Sequence, residues 1–311
     1  HFERDAVIET LKYSIKLASE KNKISARFNK ITEIIYESNA LSDENQDFIK
    51  VKDVQKAIQK KRIRNSKIED RMNEMYRDGS YLIDVDGKKV GQINGLAVMQ
   101  VGESVFGKPS RITASSYKGR YGILNIEREV AHSGSIHDKG VLILNGYIGN
   151  RYAKEDIPAM TTSITFEQNY SGIDGDSASS TELSVIISSI AGIPINQGIA
   201  VTGSMSQKGE IQPIGGVNEK IEGYYDVCSI KGLTGKQGVI IPIQNVKNLM
   251  LRDDIIKSVE EGQFHIYAIS NVEEGLQILT GLTKEKIDEK VKAAFKKFSE
   301  NCDEKKSEKG E

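Results

Sequence analysis

The amino-acid sequence predicts an α+β fold preceded by a small all-helical unit. Apolar residues recur with helical spacing up to about residue 78. From Ser80 onward they alternate with polar residues in short runs typical of β-strands, and helical stripes return only after residue 180. Strands and helices do not follow a regular strand–helix–strand repeat, so the pattern favours α+β over a parallel α/β array.

The first 78 residues are predicted to form three helical segments. Ser25 is the expected N-cap of the second segment, and the third has room for a break before it ends at Gly79. Helices this short need a partner surface to be stable, so the unit is expected to pack on something else. The apolar stripes are Ile8, Leu11, Ile15 and Ala18; Phe28, Ile31 and Ile35; and Val54, Ile58, Ile68, Met72 and Met75.

The next region is predicted to be rich in strands. Tyr81, Ile83 and Val85 alternate with polar residues up to Asp86 and Gly87, a dipeptide typical of hairpin turns. The other strand-like runs are residues 90–101, 111–115, 121–126, 140–144, 163–167, 199–204 and 238–241.

Two helices are predicted within the second half of the chain and one near its end. The last thirty residues are highly charged, so we expect a single terminal helix followed by a solvated or disordered tail. The apolar stripes that define these helices are Leu183, Ile186, Ile187 and Ile190; Val217, Ile221, Tyr224 and Cys228; and Ile287, Val291 and Phe295.

The composition excludes several classes of function. The formal net charge is −1, with 43 basic and 44 acidic residues, which gives no global reason to expect binding to nucleic acid or an anionic membrane. No apolar run reaches the ~18 residues that a membrane span needs. Charges begin at Glu3, unlike in a signal peptide. With only Cys228 and Cys302, neither a disulfide framework nor a four-cysteine zinc site is available, so we expect a cytoplasmic protein without a metal.

The strongest candidate for a nucleophile is Ser177. A Gly175-Asp176 turn places this serine at the start of an apolar-striped helix, with small neighbours after it. Free N–H groups at such a helix start can stabilise an oxyanion. The simpler interpretation is an N-cap serine, and the run lacks the second glycine of the G-x-S-x-G elbow, because Ser179 stands there.

A serine nucleophile needs a base, and two kinds are available. The four histidines, His1, His132, His137 and His265, lie in no recognisable local signature, although a Ser-His-Asp triad stays open. Lys220 is the alternative, because it borders the Val217 stripe, where burial can make its amine neutral. Taken alone, such a lysine is more often a surface residue whose stem packs on apolar neighbours.

Five runs resemble the proteolytic domain of Lon proteases in order and spacing, and the resemblance covers about residues 80–281. The G-D-S form of the serine motif looks like the B-type or Lon-like branch. The runs are FEQ at 166–168, DGDSAS at 174–179, VTGS at 201–204, GEIQPIGGVNEK at 209–220 and VIIP at 239–242.

The resemblance implies a serine endopeptidase with a serine–lysine dyad. It assigns Ser177 as the nucleophile and Lys220 as the general base, while Thr202 matches a threonine that orients the lysine amine. The pKa of an ordinary lysine is near 10.4, so the base would need desolvation by the apolar face around it. No metal is required by this chemistry.

Three acidic residues are candidates for supporting roles. Asp176 belongs to the serine motif, and Asp174 matches a position that pairs with the lysine in some B-type enzymes. Such a pair would raise the lysine pKa and oppose a free base, so we expect Asp174 to be regulatory or structural. Glu167 is a weaker candidate for the same neighbourhood.

The helical start of the chain resembles the small lid subdomain of an AAA+ ATPase. In that comparison Arg27 looks like a sensor-2 arginine that would touch the nucleotide, although an exposed arginine at a helix start is the commoner interpretation. The chain contains no G-x-x-x-x-G-K-[ST] loop, so no cofactor is expected here, and ATP with Mg²⁺ is expected for a longer full-length protein. The predicted units are 1–78 (lid), 79–281 (protease) and 282–311 (charged helix and tail).

The leading hypothesis is the proteolytic part of an ATP-dependent Lon-like protease that degrades unfolded or damaged proteins. The resemblance implies a homo-oligomer, a six-membered ring, with unfolded polypeptides as partners. Two alternatives stay open: a non-catalytic oligomerisation or adaptor domain, and an ATP-independent processing protease with the same fold. The presence of both Ser177 and Lys220 argues against the first, and the lid-like helices argue against the second.

Overall fold

The structure is a computed structural model that describes residues 1–43, 46–153 and 159–307, with side chains described to residue 299. Its helices are α1 (Arg4–Ala18), α2 (Phe28–Leu41), α3 (Val51–Asn65), α4 (Lys67–Asp78), α5 (Ile126–Glu129), α6 (Ser135–Tyr152), α7 (Ser179–Ala191), α8 (Val217–Lys231), α9 (Asp253–Glu260), α10 (Val272–Thr280) and α11 (Lys284–Ser307), with a 3₁₀ helix at Ile243–Asn248.

The strands form one large mixed sheet and two small antiparallel pairs, β1 with β6 and β8 with β9. The large sheet has the order β11-β10-β7-β2-β3-β5-β4 within the described residues. The strands are β1 (Lys88–Lys89), β2 (Gln92–Val101), β3 (Ser104–Lys118), β4 (Gly122–Asn125), β5 (Met160–Phe166), β6 (Ile195–Asn196), β7 (Ile199–Val201), β8 (Ser204–Met205), β9 (Ile211–Gln212), β10 (Gln237–Pro242) and β11 (Phe264–Ile269). This arrangement confirms the α+β prediction.

The large sheet is covered on both faces, and each face has its own apolar core. In β10, Ile240 packs with α7, whereas its neighbours Val239 and Ile241 pack with α8. Successive side chains of a strand point to opposite faces, so α7 and α8 lie on opposite sides of the sheet. A side chain of α7 and a side chain of α8 can therefore contact each other only past the end of a strand.

The amino-terminal helices α1 to α3 have a separate small core, formed around Ala6, Ile34 and Val54. Helix α4 lies within the predicted 1–78 unit, but its buried residues Met72 and Tyr76 pack into the core on the α8 side of the sheet. The Tyr76 hydroxyl also donates to a backbone carbonyl of β3 at 2.6 Å. Thus α4 connects the two parts of the chain, and the boundary at 78 stays a prediction.

Several local predictions in the amino-terminal unit were wrong. Ser25 does not cap α2, because the helix begins at Phe28 and the Ser25 hydroxyl instead accepts a hydrogen bond from the Arg27 amide at 3.2 Å. Phe28 is 70% exposed, and the predicted stripe of α1 is largely exposed as well. Helix α1 buries Ala6 and Ser14 instead, and α2 buries Ile34 and Ser38, so in these two helices apolar spacing identified the helix but not its packed side.

Two predicted strands are also absent from the described residues. Residues 81–85 form no ladder: the Leu82 amide donates to the Gln168 side chain at 2.7 Å, and the carbonyl of Asp84 accepts from the Asn94 side chain at 2.7 Å. Side chains thus take the hydrogen bonds that a partner strand would have made. Residues 140–144 lie in α6, whose buried positions continue with helical spacing to Ile148.

The charged end of the chain is helical further than predicted. Ile287, Val291 and Phe295 are buried against the α7 side of the sheet, as the stripe predicted. The helix that contains them, α11, continues to Ser307, where a solvated or disordered tail was expected to have begun. The part of that prediction that concerns residues 308–311 lies outside the described residues.

Candidate active site

Ser177 lies in the turn that leads into α7. Gly175 has a φ of +91°, a conformation that L side chains rarely adopt, which explains why glycine occupies this position. The Ser177 carbonyl accepts from the Gly203 amide at 2.8 Å, and the Ser180 amide donates back to the Gly203 carbonyl at 3.1 Å. These two bonds fasten the turn to the segment that follows β7.

Lys220 reaches the same point from α8, on the other side of the sheet. It is only 3% exposed, and its Nζ lies 2.8 Å from Ser177 Oγ. The amine also contacts Thr202 Oγ1 at 3.1 Å, and the Thr202 hydroxyl lies 3.3 Å from the Ser177 carbonyl. Thr202 directly follows β7, so the end of this strand brings the serine, the threonine and the lysine together.

Burial changes the protonation of the lysine. Desolvation lowers the pKa of Lys220 to about 8, while the negative charge of Asp176 acts in the opposite direction. The Asp176 carboxylate accepts a hydrogen bond from Ser204 Oγ at 2.8 Å. A substantial neutral fraction of the amine is therefore present close to physiological pH. Neutral lysine can accept a proton, which the ammonium form cannot.

The other predicted supporting residues lie apart from the lysine amine. Asp174 is exposed, and its Oδ1 accepts from the amides of Ile136 and His137 at 3.2 Å each, at the start of α6. Hydrogen bonds from backbone amides lower the pKa of Asp174, so it is ionised. Glu167 accepts from Thr113 Oγ1 at 2.7 Å. Neither carboxylate makes a hydrogen bond or an ion pair with Lys220 within the described residues.

Among the described residues, no histidine makes a hydrogen bond with the serine hydroxyl. His265 Nε2 is 2.9 Å from the Gly235 carbonyl, and His137 is buried beside Glu182. Among the side chains that the structure describes, that of Lys220 alone lies within hydrogen-bond distance of Ser177 Oγ. Sequence reasoning singled out this lysine and kept His137 only as a possible triad base, but it missed α6, because the contacts of that helix with the serine turn are distant along the chain.

A surface cleft of about 580 Å³ opens beside the serine turn, lined by residues 131–134 and 170–174. His132 and Asp174 contribute polar groups to it, and Tyr170 contributes a largely exposed ring.

No cluster of three or more residues suited to hold a metal ion occurs among the described residues. Over the same residues, no helix is both long and apolar enough to cross a membrane. Arg27 is exposed on the lid unit.

Comparison with known proteins places the chain in a family. A family model described as the Lon protease (S16) C-terminal proteolytic domain matches residues 62–283, and one described as the archaeal LonB AAA+ ATPase LID domain matches residues 1–64. A putative Lon protease homolog of Escherichia coli is 42% identical over 72% of this chain and 39% of that protein. An archaeal Lon protease of Archaeoglobus fulgidus is 30% identical over 89% of the chain and 42% of that protein.

The chain thus spans well under half the length of these curated relatives. The matched regions agree with the two parts of the structure, helices first and the mixed sheet after them. The family model for the proteolytic domain covers most of the chain and includes the meeting point of α7, α8 and β7. The chain therefore belongs to the Lon protease family.

Proposed function

We propose that this chain is a serine endopeptidase in which Ser177 is the nucleophile and Lys220 the general base. The contact of 2.8 Å between Lys220 Nζ and Ser177 Oγ carries the proposal. The amine is buried, and desolvation lowers its pKa to about 8, which suits a base at neutral to mildly alkaline pH. Ser177 itself is partly exposed, so a substrate carbonyl can approach its hydroxyl.

The first half of the reaction forms an acyl-enzyme. Neutral Lys220 takes the proton of Ser177 Oγ as that oxygen attacks the carbonyl carbon of a peptide bond. The amine donates to Thr202 Oγ1 at 3.1 Å, which directs its single lone pair toward the serine. The protonated lysine then gives the proton to the departing amine, and the C–N bond breaks.

The second half releases the acyl group by hydrolysis. Lys220, neutral again, takes a proton from a water molecule that attacks the ester carbon, and the serine recovers its proton when the ester bond breaks. Both steps place negative charge on the carbonyl oxygen. The Ser179 and Ser180 amides are engaged by the carbonyls of Asp176 and Gly203. We therefore assign the oxyanion to the amides of Ser177 and Ala178.

The whole protein is proposed to be an ATP-dependent protease of unfolded or damaged polypeptides that assembles as a six-membered ring. The match of residues 1–64 to an AAA+ ATPase lid domain supports the dependence on ATP, and the similarity to archaeal Lon proteases supports the protease activity. Because the chain lacks a G-x-x-x-x-G-K-[ST] loop, ATP and Mg²⁺ would bind to other parts of the protein, with Arg27 as a candidate contact. The cleft of residues 131–134 and 170–174 is the proposed approach for the peptide.

The decisive experiment compares Ser177→Ala with Ser180→Ala, using a fluorophosphonate probe and cleavage of an unstructured peptide. Each change removes one hydroxyl, from the turn before α7 and from the first turn of α7, and Ser180 Oγ has no hydrogen-bond partner among the described residues. We expect Ser177→Ala to lose labelling and cleavage, while Ser180→Ala keeps both. Labelling of Ser177→Ala at the rate of the unchanged chain would show that another residue is the nucleophile.

A further inference from the structure

Strand β8 holds the serine turn through side-chain hydrogen bonds. Ser204 Oγ donates to Asp176 Oδ2 at 2.8 Å, and the Met205 amide donates to Ser179 Oγ at 3.1 Å. Asp176 precedes Ser177 and Ser179 follows it, so these two bonds lie on either side of the nucleophile. The two residues of β8 therefore fix the turn just before and just after the serine hydroxyl.

Ser204 is itself held in place by its surroundings. It is buried and pairs with Gln212 across the β8–β9 ladder. Gln212 Oε1 lies 3.2 Å from the Ser204 hydroxyl, which has a single proton to donate. The bond to the Asp176 carboxylate is shorter and charge-assisted, and such bonds are the stronger kind. The proton of Ser204 is therefore directed to Asp176.

Asp176 directly precedes the nucleophile, so its carboxylate lies beside the place where the serine and the lysine meet. Ser177 Oγ is 2.8 Å from Lys220 Nζ. Nevertheless, among the described residues no hydrogen bond or ion pair joins Asp176 to Lys220. The carboxylate is instead bonded to Ser204, in the segment that follows Thr202.

Other titratable groups lie on the elements around the amine and the serine turn. They are Glu219 and Glu222 of α8, Asp174 of the serine turn, His137 of α6, Glu182 of α7 and Lys108 of β3. Glu222 pairs with Lys16 at 2.8 Å, and Asp174 accepts from two amides of α6, so both carboxylates are bound elsewhere. Of these groups and Asp176, it is the Asp176 carboxylate whose charge shifts the pKa of Lys220.

We propose that Ser204 is a positioning residue for the base: its hydroxyl holds the Asp176 carboxylate against β8, so that this carboxylate does not pair with the amine of Lys220. The inference rests on the proposed function and adds a control on the charge of the base. An ammonium group paired with a carboxylate keeps its proton and has no lone pair to offer to Ser177.

Loss of the Ser204 hydroxyl should therefore change the charge of the lysine rather than only the firmness of the turn. Asp176 Oδ2 would lose its donor, and the ammonium form of Lys220 offers a replacement. An opposite charge within about 4–6 Å shifts a pKa by about 1 to 3, here in favour of the ammonium form. The neutral amine would then become available only at higher pH.

The test measures how the rate of fluorophosphonate labelling of Ser177 depends on pH in the 311-residue chain. We expect Ser204→Ala to move the acidic limb upward by about one pH unit, so that labelling at pH 7 falls about 10-fold while the rates converge above both limbs. In an Asp176→Asn background the same change should leave the limb in place, because the asparagine amide carries no charge. Ser206→Ala removes a hydroxyl from the turn after β8 and, as the control, should not move the limb.

A second variant removes the dependence on the folding of Ser204→Ala. Ser204→Cys keeps nearly the same side-chain volume, but a thiol is a weak donor, so a smaller upward movement of the limb is expected. An unmoved limb in Ser204→Ala, or in Ser204→Cys where the alanine variant does not fold, would overturn the positioning role. So would an equal loss of rate at every pH with and without Asp176→Asn, which would indicate a structural effect alone.

Failure of this inference is distinguishable from failure of the proposed function. If the unchanged chain is not labelled at Ser177, the proposed function fails, and the inference fails with it. If the unchanged chain is labelled but the limb of the Ser204 variants does not move, the inference alone fails.

Discussion

Lys220 is expected to lower the stability of the fold that it serves. Its pKa is near 8 in the folded chain and about 10.5 for an exposed lysine, so between those values the unfolded chain binds more protons and stability rises with pH. Below pH 8 the folded chain bears the full free-energy cost of burying the charged amine of Lys220. We predict that Lys220→Met abolishes cleavage but raises the free energy of unfolding at pH 7 by up to about 3 kcal/mol. Urea titrations at pH 7 and 10.5 should show this gain disappearing at the higher pH, whereas Lys231→Met, at the exposed end of α8, should show no such dependence.

The pH profile of cleavage should report the same group. Activity is expected to rise with an acidic limb near pH 8, because the proposed base is the neutral form of Lys220. The charge of Asp176 raises the lysine pKa, so Asp176→Asn should move this limb to lower pH. Glu219→Gln, which changes a charge beside the lysine on α8, should leave it in place. An Asp176→Asn limb unchanged or moved upward would show that another group controls the profile.

At the scale of elements, the lysine reaches the serine because α8 lies unusually close to β3. A Cβ on Gly223 would be 2.4 Å from the Gly107 carbonyl oxygen, and a Cβ on Gly107 would be 2.1 Å from the Glu219 carbonyl oxygen. We therefore predict that Gly223→Ala pushes α8 outward, costs about 1–3 kcal/mol of stability and reduces cleavage more than stability alone explains. Ser229→Ala, on the exposed side of the same helix, is the control. Unchanged activity and stability in Gly223→Ala would contradict this close contact.

Elements whose stability comes from their own apolar stripe could be predicted from the sequence. Helices α7 and α8 have stripes that match the buried residues, and the serine and lysine beside them could be paired through the resemblance. The helical character of residues 140–144 was missed because four consecutive aliphatic residues have high β-propensity, and only the wider spacing to Ile148 shows the helix. The buried proximity of His137 Nε2 and Glu182 Oε1, 3.4 Å apart, depends on tertiary packing that no local pattern contains.

At the scale of the whole molecule, polar contacts dominate between α1–α3 and the remainder of the chain. Lys16 Nζ lies 2.8 Å from Glu222 Oε1 on α8, and Lys30 pairs with Glu103 at 3.3 Å. Ion pairs with a partly exposed partner, such as these, contribute about 1 kcal/mol each. The helical unit has its own apolar core, and several of its large apolar side chains are exposed, including Phe28. We interpret it as a lid unit that adds little stability to the proteolytic domain.

This organisation predicts how the purified chain should treat different substrates. In the proposed mechanism, cleavage requires Ser177 and Lys220, which the proteolytic domain contains, whereas unfolding of a substrate requires nucleotide-driven work, for which the chain has no phosphate-binding loop. We expect the chain to cleave unstructured peptides and casein, to leave a stably folded protein intact, and to show the same rates with and without ATP and Mg²⁺. Destabilising the folded substrate by mutation should make it cleavable, while Ser177→Ala controls for contaminating proteases. ATP hydrolysis by the pure chain, or cleavage of the stable substrate that depends on ATP, would contradict this division of labour.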